Sequence, residues 1–146
     1  MTPAELLSCN GSRAWVARMT ALLPVADPVA VGEQVWWSLG PDDWREALAA
    51  HPRIGDRPPP GTQEQREQSA VSTASDQVLA DIAAGNLAYE QRFGTTYVVR
   101  ASGRSAEQML ALLRQRLAND PATEIRVAAG QQWEITALRL RALLAG

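Results

Sequence analysis

Apolar residues recur along this chain at three- and four-residue intervals, the spacing of one face of an α-helix, and hardly anywhere at the two-residue interval of a half-buried strand. Capping residues divide the pattern into segments. Thr2-Pro3-Ala4-Glu5 is a capping box with proline at the first helical position, and the short helix it opens should stop near Asn10-Gly11. A second run from Ser12 to about Leu23 puts Trp15, Met19, Leu22 and Leu23 on one stripe, and Pro24 ends it. Asp27-Pro28 opens a third helix, with Gly40 as its C-cap beyond Trp36, Trp37 and Leu39. Pro41-Asp42-Asp43 opens a fourth through Trp44, Ala47 and Leu48, ending near Ala50.

The segment from His51 to Gly61 is rich in proline and glycine and reads as a loop. A polar helix follows from about Thr62 to residue 71, with a break between Ser72 and Ser75. A long amphipathic helix then carries Val78, Leu79, Ile82, Leu87, Tyr89 and Phe93 up to Gly94. Thr95 to Ala101 is the one strand-like run, a strand or merely extended chain. Ser105 with Gln108 makes a second capping box, opening a helix through Met109, Leu112, Leu113 and Leu117. Asn119-Asp120-Pro121 separates it from a last helix that runs to about Leu144. The pattern predicts an all-α, single-domain bundle over residues 1–146, with about seven to nine helices and one short extended segment near 95–101.

Composition sharpens this by exclusion. The 46% hydrophobic and 21% charged content is that of a soluble globular chain. A net charge of −2 gives no reason to expect nucleic acid or an anionic membrane as partner. No apolar run is long enough to span a bilayer, and no signal peptide is evident. The single cysteine, Cys9, rules out an intramolecular disulfide and fits a reducing compartment, the cytoplasm. All 14 basic residues are arginine, so a lysine Schiff base and a Walker P-loop are excluded. One histidine cannot build a His-rich zinc site, so no metal site is expected. Acid–base chemistry near neutral pH must rest on His51 or on a perturbed carboxylate.

Each candidate residue has two readings. His51 precedes a proline, which pushes it out of the helical region and places it at a helix C-terminus. It is a reactive imidazole or a solvated helix end. Glu64, Glu67 and Gln68 share one helical face, either to hold a polar heterocycle or simply to face solvent. Arg139, among Ile135, Leu138, Leu140, Leu143 and Leu144, either reaches into a pocket to bind a carboxylate or snorkels from the edge of the stripe. The five tryptophans fall at helical spacing and read as core. Cys9 reads as a small buried hydrophobe.

The combination goes further than any of these alone. The run Asp43-Trp44-Arg45-Glu46-Ala47-Leu48-Ala49-Ala50-His51-Pro52-Arg53-Ile54-Gly55-Asp56 resembles the signature segment of the decarboxylases of 2-oxo-4-hydroxy-4-carboxy-5-ureidoimidazoline (OHCU). Arg66-Glu67-Gln68 is similar to that family's second motif, and Tyr89-Glu90-Gln91-Arg92-Phe93-Gly94 with Tyr97-Val98-Val99 to its third. Arg116-Leu117-Ala118-Asn119 and Ile135-Thr136-Ala137-Leu138-Arg139-Leu140 resemble its C-terminal pattern. The blocks occur in order from about residue 3 to 144.

This resemblance implies an all-α homodimer that needs no cofactor and acts on a small ureidoimidazoline in urate breakdown. It implies His51 as catalytic group, with Glu67 assisting proton transfer. Gln68 and Arg139 would hold the substrate, and Pro52 and the backbone from Val98 to Ser102 would line the pocket. Glu64 stands where the family often has serine, a substrate-contact position at which a hydroxyl is lost and a negative charge is gained. Two other readings stay open: a helical module that binds a ligand or partner without catalysis, and a decarboxylase of a related heterocyclic acid.

Overall fold

The structure, a computed structural model, describes residues 1–55, 61–68 and 74–146, apart from the side chain of Gln65. Eight helices are found among the described residues. They are α1 Pro3–Cys9, α2 Arg13–Leu22, α3 Pro28–Ser38, α4 Pro41–Ala49, α5 Gln63–Glu67, α6 Asp76–Phe93, α7 Ala106–Leu117 and α8 Pro121–Ala145. No strand is found there, and residues 96–101 carry no regular structure, so the strand-like run is extended chain. Both predicted capping boxes form, Thr2 with Glu5 and Ser105 with Gln108.

Several expectations need correction. Gly40 does not cap α3; Leu39 does, and Gly40 is instead the N-cap of α4. The stripe of α2 narrows to Trp15 and Met19, because Leu22 is half in solvent at 49% exposure. Leu87 is 56% exposed and leaves the buried stripe of α6, whose buried residues are Ile82, Asn86 and Tyr89. Polar Asn86, at i+4 from Ile82 and three before Tyr89, takes the inward position that period-counting on apolar residues passes over. Of the tryptophans, Trp15, Trp36, Trp44 and Trp133 are core, while Trp37 is exposed and meets Trp44 edge-on at 5.6 Å. The predicted loop at 56–60, the helix beyond 68 and the break at Ser72 and Thr73 lie outside the described residues.

The chain divides into two compact units. One comprises Met1–Ala50 with Ala129–Gly146, the other His51–Ala128, and α8 supplies residues to both. In the first, indole N–H groups bond buried carbonyls: Trp15 to Gly32 at 3.0 Å, Trp36 to Ala129 at 3.0 Å and Trp44 to Trp36 at 3.1 Å. Gly32 permits this packing, since a Cβ there would lie 3.1 Å from the Trp133 ring and 3.3 Å from that of Trp15. A neutral cluster joins α1 to α8: Asn10 and Gln132 donate to the Thr136 hydroxyl, which is also within bonding distance of the Cys9 carbonyl. Cys9 is fully buried and its thiol pKa is raised by that burial, in keeping with a packing role.

The second unit packs Ile54, Ile82, Tyr89, Tyr97, Val99, Met109 and Leu113 into one core. Within it lies a buried ion pair, Arg116 with Glu124 at 2.6 Å. Arg116 also donates to the Val98 carbonyl at 2.7 Å and stacks over the Tyr97 ring at 4.8 Å. Tyr89 donates its hydroxyl to Glu124, and Asn119 donates to the other carboxylate oxygen at 3.1 Å. Burial works against the charge on Arg116, but the bond and charge of Glu124, together with the Tyr89 and Tyr97 phenols, outweigh it and leave the guanidinium pKa raised.

Candidate active site

His51 is the first residue beyond the C-cap of α4, Ala50, and it is half-buried, as is Pro52. Proline after histidine ends the helix here, and Pro52 offers no N–H to continue it. The following residues turn sharply: Ile54 buries its side chain in the core and Gly55 takes φ +95, a left-handed conformation that favours glycine. Such a loop has few backbone partners of its own, so side chains must satisfy its peptide groups. Gly55 N–H donates to Gln68 Oε1 at 3.3 Å, and the Ile54 carbonyl accepts from Asn86 Nδ2 at 2.8 Å. Arg53 reaches α6 as well, with two bonds to the Glu90 carboxylate at 2.7 and 2.8 Å.

The helix carrying the second group of candidates is short, only Gln63–Glu67, and Gln68 follows as a turn. Its candidate face is not a solvated one: Glu64 and Glu67 are half-buried and Gln68 is buried. The bond from Gly55 to Gln68 ties this turn to the loop that begins at His51. Gln68 is therefore more than a substrate ligand in waiting, because its carbonyl oxygen is engaged by the loop. Val98 is buried, with its carbonyl held by Arg116.

Thus His51, Pro52, Glu64, Glu67, Gln68 and Val98 belong to the His51–Ala128 unit. Arg139 belongs to the other. It does not snorkel: it is only 9% exposed, with Nη1 donating to the Ser8 carbonyl at 3.2 Å. A pocket of about 260 Å³ lies against the same loop, lined by Arg53, Ile54, Gly55, Leu79, Ala83, Asn86 and Leu87, and contains none of the predicted site residues. Among the described residues no group of three His, Cys, Asp or Glu is placed to hold a metal ion. No described helix is long and apolar enough to cross a membrane.

Asn86, Glu90 and the Arg116–Glu124 pair are the supports that reading the sequence overlooked. A signal for Asn86 was present, a lone amide at i+4 on an apolar stripe. Arg116 gave a weaker one, an arginine three residues after Leu113 on the buried face of α7.

A half-buried histidine heads a loop that Gln68 and Asn86 pin by its backbone, in an all-helical scaffold. The sequence matches the family model for OHCU decarboxylase over residues 3–141, and the chain belongs to that family. The chain is 32% identical over 145 residues to the uric acid degradation bifunctional protein TTL of Arabidopsis thaliana, covering 92% of this chain and 45% of that protein. It thus spans less than half the length of that relative. A crystal structure of OHCU decarboxylase in the presence of (S)-allantoin superposes with a TM-score of 0.88 at 32% identity, covering 97% of this chain and 98% of that one. A crystal structure of (S)-allantoin synthase shares the fold at a TM-score of 0.70 and 20% identity, covering 96% of this chain and 48% of that one.

Proposed function

We propose that this chain, acting as one domain, decarboxylates OHCU to (S)-allantoin. The observation that carries the reading is the Gly55–Gln68 bond, which joins the loop of His51 to the turn of Glu67. Family membership and the likeness to a structure obtained with (S)-allantoin support it.

The substrate bears its carboxylate on a carbon beside a C=N bond. As CO₂ leaves, the electron pair of the broken C–C bond flows into that C=N, so the substrate carries its own electron sink. A protein that orients it, places charge and returns one proton is sufficient. His51 exchanges a proton with the hydroxyl or carboxylate at the reacting carbon. Glu67 orients the imidazole or manages the proton delivered to one face of the ring, which sets the S configuration. Pro52 and the Val98 segment line the site. Arg139 pairs with the substrate carboxylate, and Gln68 offers its amide N–H groups to the ring.

Glu64 favours one alternative. Half-buried on the same face as Glu67, it adds negative charge where an anionic substrate would lie. A related, less anionic heterocyclic acid would suit that arrangement, and the assay below is run with such compounds in parallel. We also propose a homodimer acting in the cytoplasm. The exposed apolar side chains of Leu7, Leu22 and Trp37 support self-association, and light scattering in solution tests it. The buried lone Cys9 fits a reducing compartment.

The test of the reaction is circular dichroism at an allantoin-sensitive wavelength. OHCU is generated in situ from urate with urate oxidase and hydroxyisourate hydrolase, with and without this protein. Rapid growth of an optically active signal supports the proposal; a trace identical to spontaneous decay overturns it.

A further inference from the structure

We infer that Asn86 is a positioning residue for His51: its side-chain amide grips the Ile54 carbonyl and fixes the loop on which the imidazole stands. The inference rests on the reading of His51 as the reacting group.

Asn86 is 4% exposed and sits on the inward stripe of α6 between Ile82 and Tyr89, each 1% exposed. An amide in such a place is costly unless it is fully bonded. This one is only half bonded. Nδ2 donates to Ile54 O at 2.8 Å, while Oδ1 is buried and has no hydrogen-bond partner among the described residues. The orientation is fixed by chemistry, since a carbonyl can only accept and must face the nitrogen. Asparagine is also a poor helix former. Leucine or methionine would fill the position without either penalty, so packing does not account for the residue. A local rule broken at a buried position points to a task.

The task lies in what is held. Between His51 and Gly55 the chain belongs to no helix, and Pro52 removes one donor. Two side-chain amides pin its peptides: Gln68 takes the Gly55 N–H, and Asn86 takes the carbonyl of the residue before. Gln68 is also a proposed substrate contact; Asn86 has no other side-chain bond among the described residues and is anchored in an 18-residue helix. Releasing Ile54 lets the loop relax three residues from the imidazole. A misplacement of about 1 Å costs on the order of 100-fold in rate.

The chain has one histidine, so one imidazole resonance in a labelled NMR spectrum reports on His51 without reference to catalysis. Asn86→Ala and the near-isosteric Asn86→Asp remove the donor. Met109→Ala, in the same core but on α7, matches the loss of thermal stability. The expected result is a displaced His51 resonance and a kcat lowered roughly 10- to 100-fold at little-changed KM in both Asn86 variants, with neither change in Met109→Ala. If Asn86→Ala fails to fold, Asn86→Asp carries the test. Folded Asn86 variants that keep the His51 resonance and kcat overturn the inference. A wild-type protein that does not act on OHCU overturns the reaction instead, and a resonance that still moves on mutation of Asn86 upholds the coupling.

Discussion

Apart from Arg139, whose guanidinium bonds the Ser8 carbonyl, the unit of residues 1–50 and 129–146 buries its polar side chains in neutral bonds, whereas the unit of residues 51–128 buries a full ion pair. Indole N–H on carbonyl, as at Trp15, Trp36 and Trp44, is a modest bond on a large apolar ring. The carboxylate of Glu124 is different. It accepts from Arg116, Tyr89 and Asn119 at once, and every one of those donors is oriented by it. A neutral pair that loses one partner strands a dipole; an ion pair that loses one strands a charge. The second unit, which also carries His51, is therefore the more brittle to single changes. Its loop shows the same habit in milder form, with side chains holding backbone where no helix does.

The largest effect expected separates chemistry from that brittleness. His51→Asn keeps the shape of the loop and removes the proton-exchanging group, so activity on OHCU should fall by at least about 10²–10⁴-fold. Its thermal midpoint should stay near that of the wild type, because a half-buried end-of-helix residue contributes little packing. Near-normal turnover in the folded variant would remove the central role of His51.

The next effect tests the comparison of the units directly. Arg116→Met leaves Glu124 buried without its counterion and should cost about 3–5 kcal/mol in urea unfolding. Trp36→Phe removes the indole donor but leaves the Ala129 carbonyl its partner within α8, and should cost only about 1 kcal/mol. Equal losses would mean that burial of charge and burial of dipoles are equivalent in this fold.

These supports differ in how they show in the sequence. Helix starts were legible because caps are local: Thr2, Ser12, Asp27 and Ser105 each bond a backbone N–H within their own first turn. Gly40 misled because the same residue suits the end of one helix and the start of the next, and Pro41 decided for the second. Leu22 and Leu87 misled because periodicity says which residues can share a face, not how wide the buried face is. His51 and Glu67 were legible as a motif, but their common anchor was not. The Gly55–Gln68 and Ile54–Asn86 bonds join residues 13 and 32 positions apart, and no local rule couples such positions. The Arg116–Glu124 pair crosses from α7 to α8, and its burial depends on tertiary packing alone.

Alkaline pH probes the brittle unit without mutation. Burial pushes the Tyr97 phenol up to about 12 against the pull of Arg116, and it raises Tyr89 as well, with the Glu124 bond adding to the effect. Both folded-state pKa values lie above the ordinary value of 10. The native state then binds more protons than the unfolded one, and stability falls as pH rises. The contribution is intact below about pH 10 and is lost from there upward, at about 1.4 kcal/mol per pH unit for each tyrosine. Urea midpoints at pH 8, 10 and 11 would show it. Tyr97→Phe should flatten the decline, and a slope that Tyr97→Phe does not change would place the alkaline weakness elsewhere.

The smallest effect concerns the outer grip on the loop. Arg53 and Glu90 are bonded twice at short distance, a fork geometry that fixes direction well. Yet the Arg53 side chain is 55% exposed, so water and salt compete for both groups. Glu90→Gln should therefore change stability by no more than about 1 kcal/mol. Its effect on kcat should stay within about five-fold, well short of Asn86→Ala, and should shrink further in 1 M salt, where screening acts within about 3 Å. The contrast is between a buried neutral bond and an exposed charged one, both reaching the loop from α6. If Glu90→Gln lowers kcat as strongly as Asn86→Ala, the loop is held by its exposed ion pair, and burial is not what gives α6 its grip.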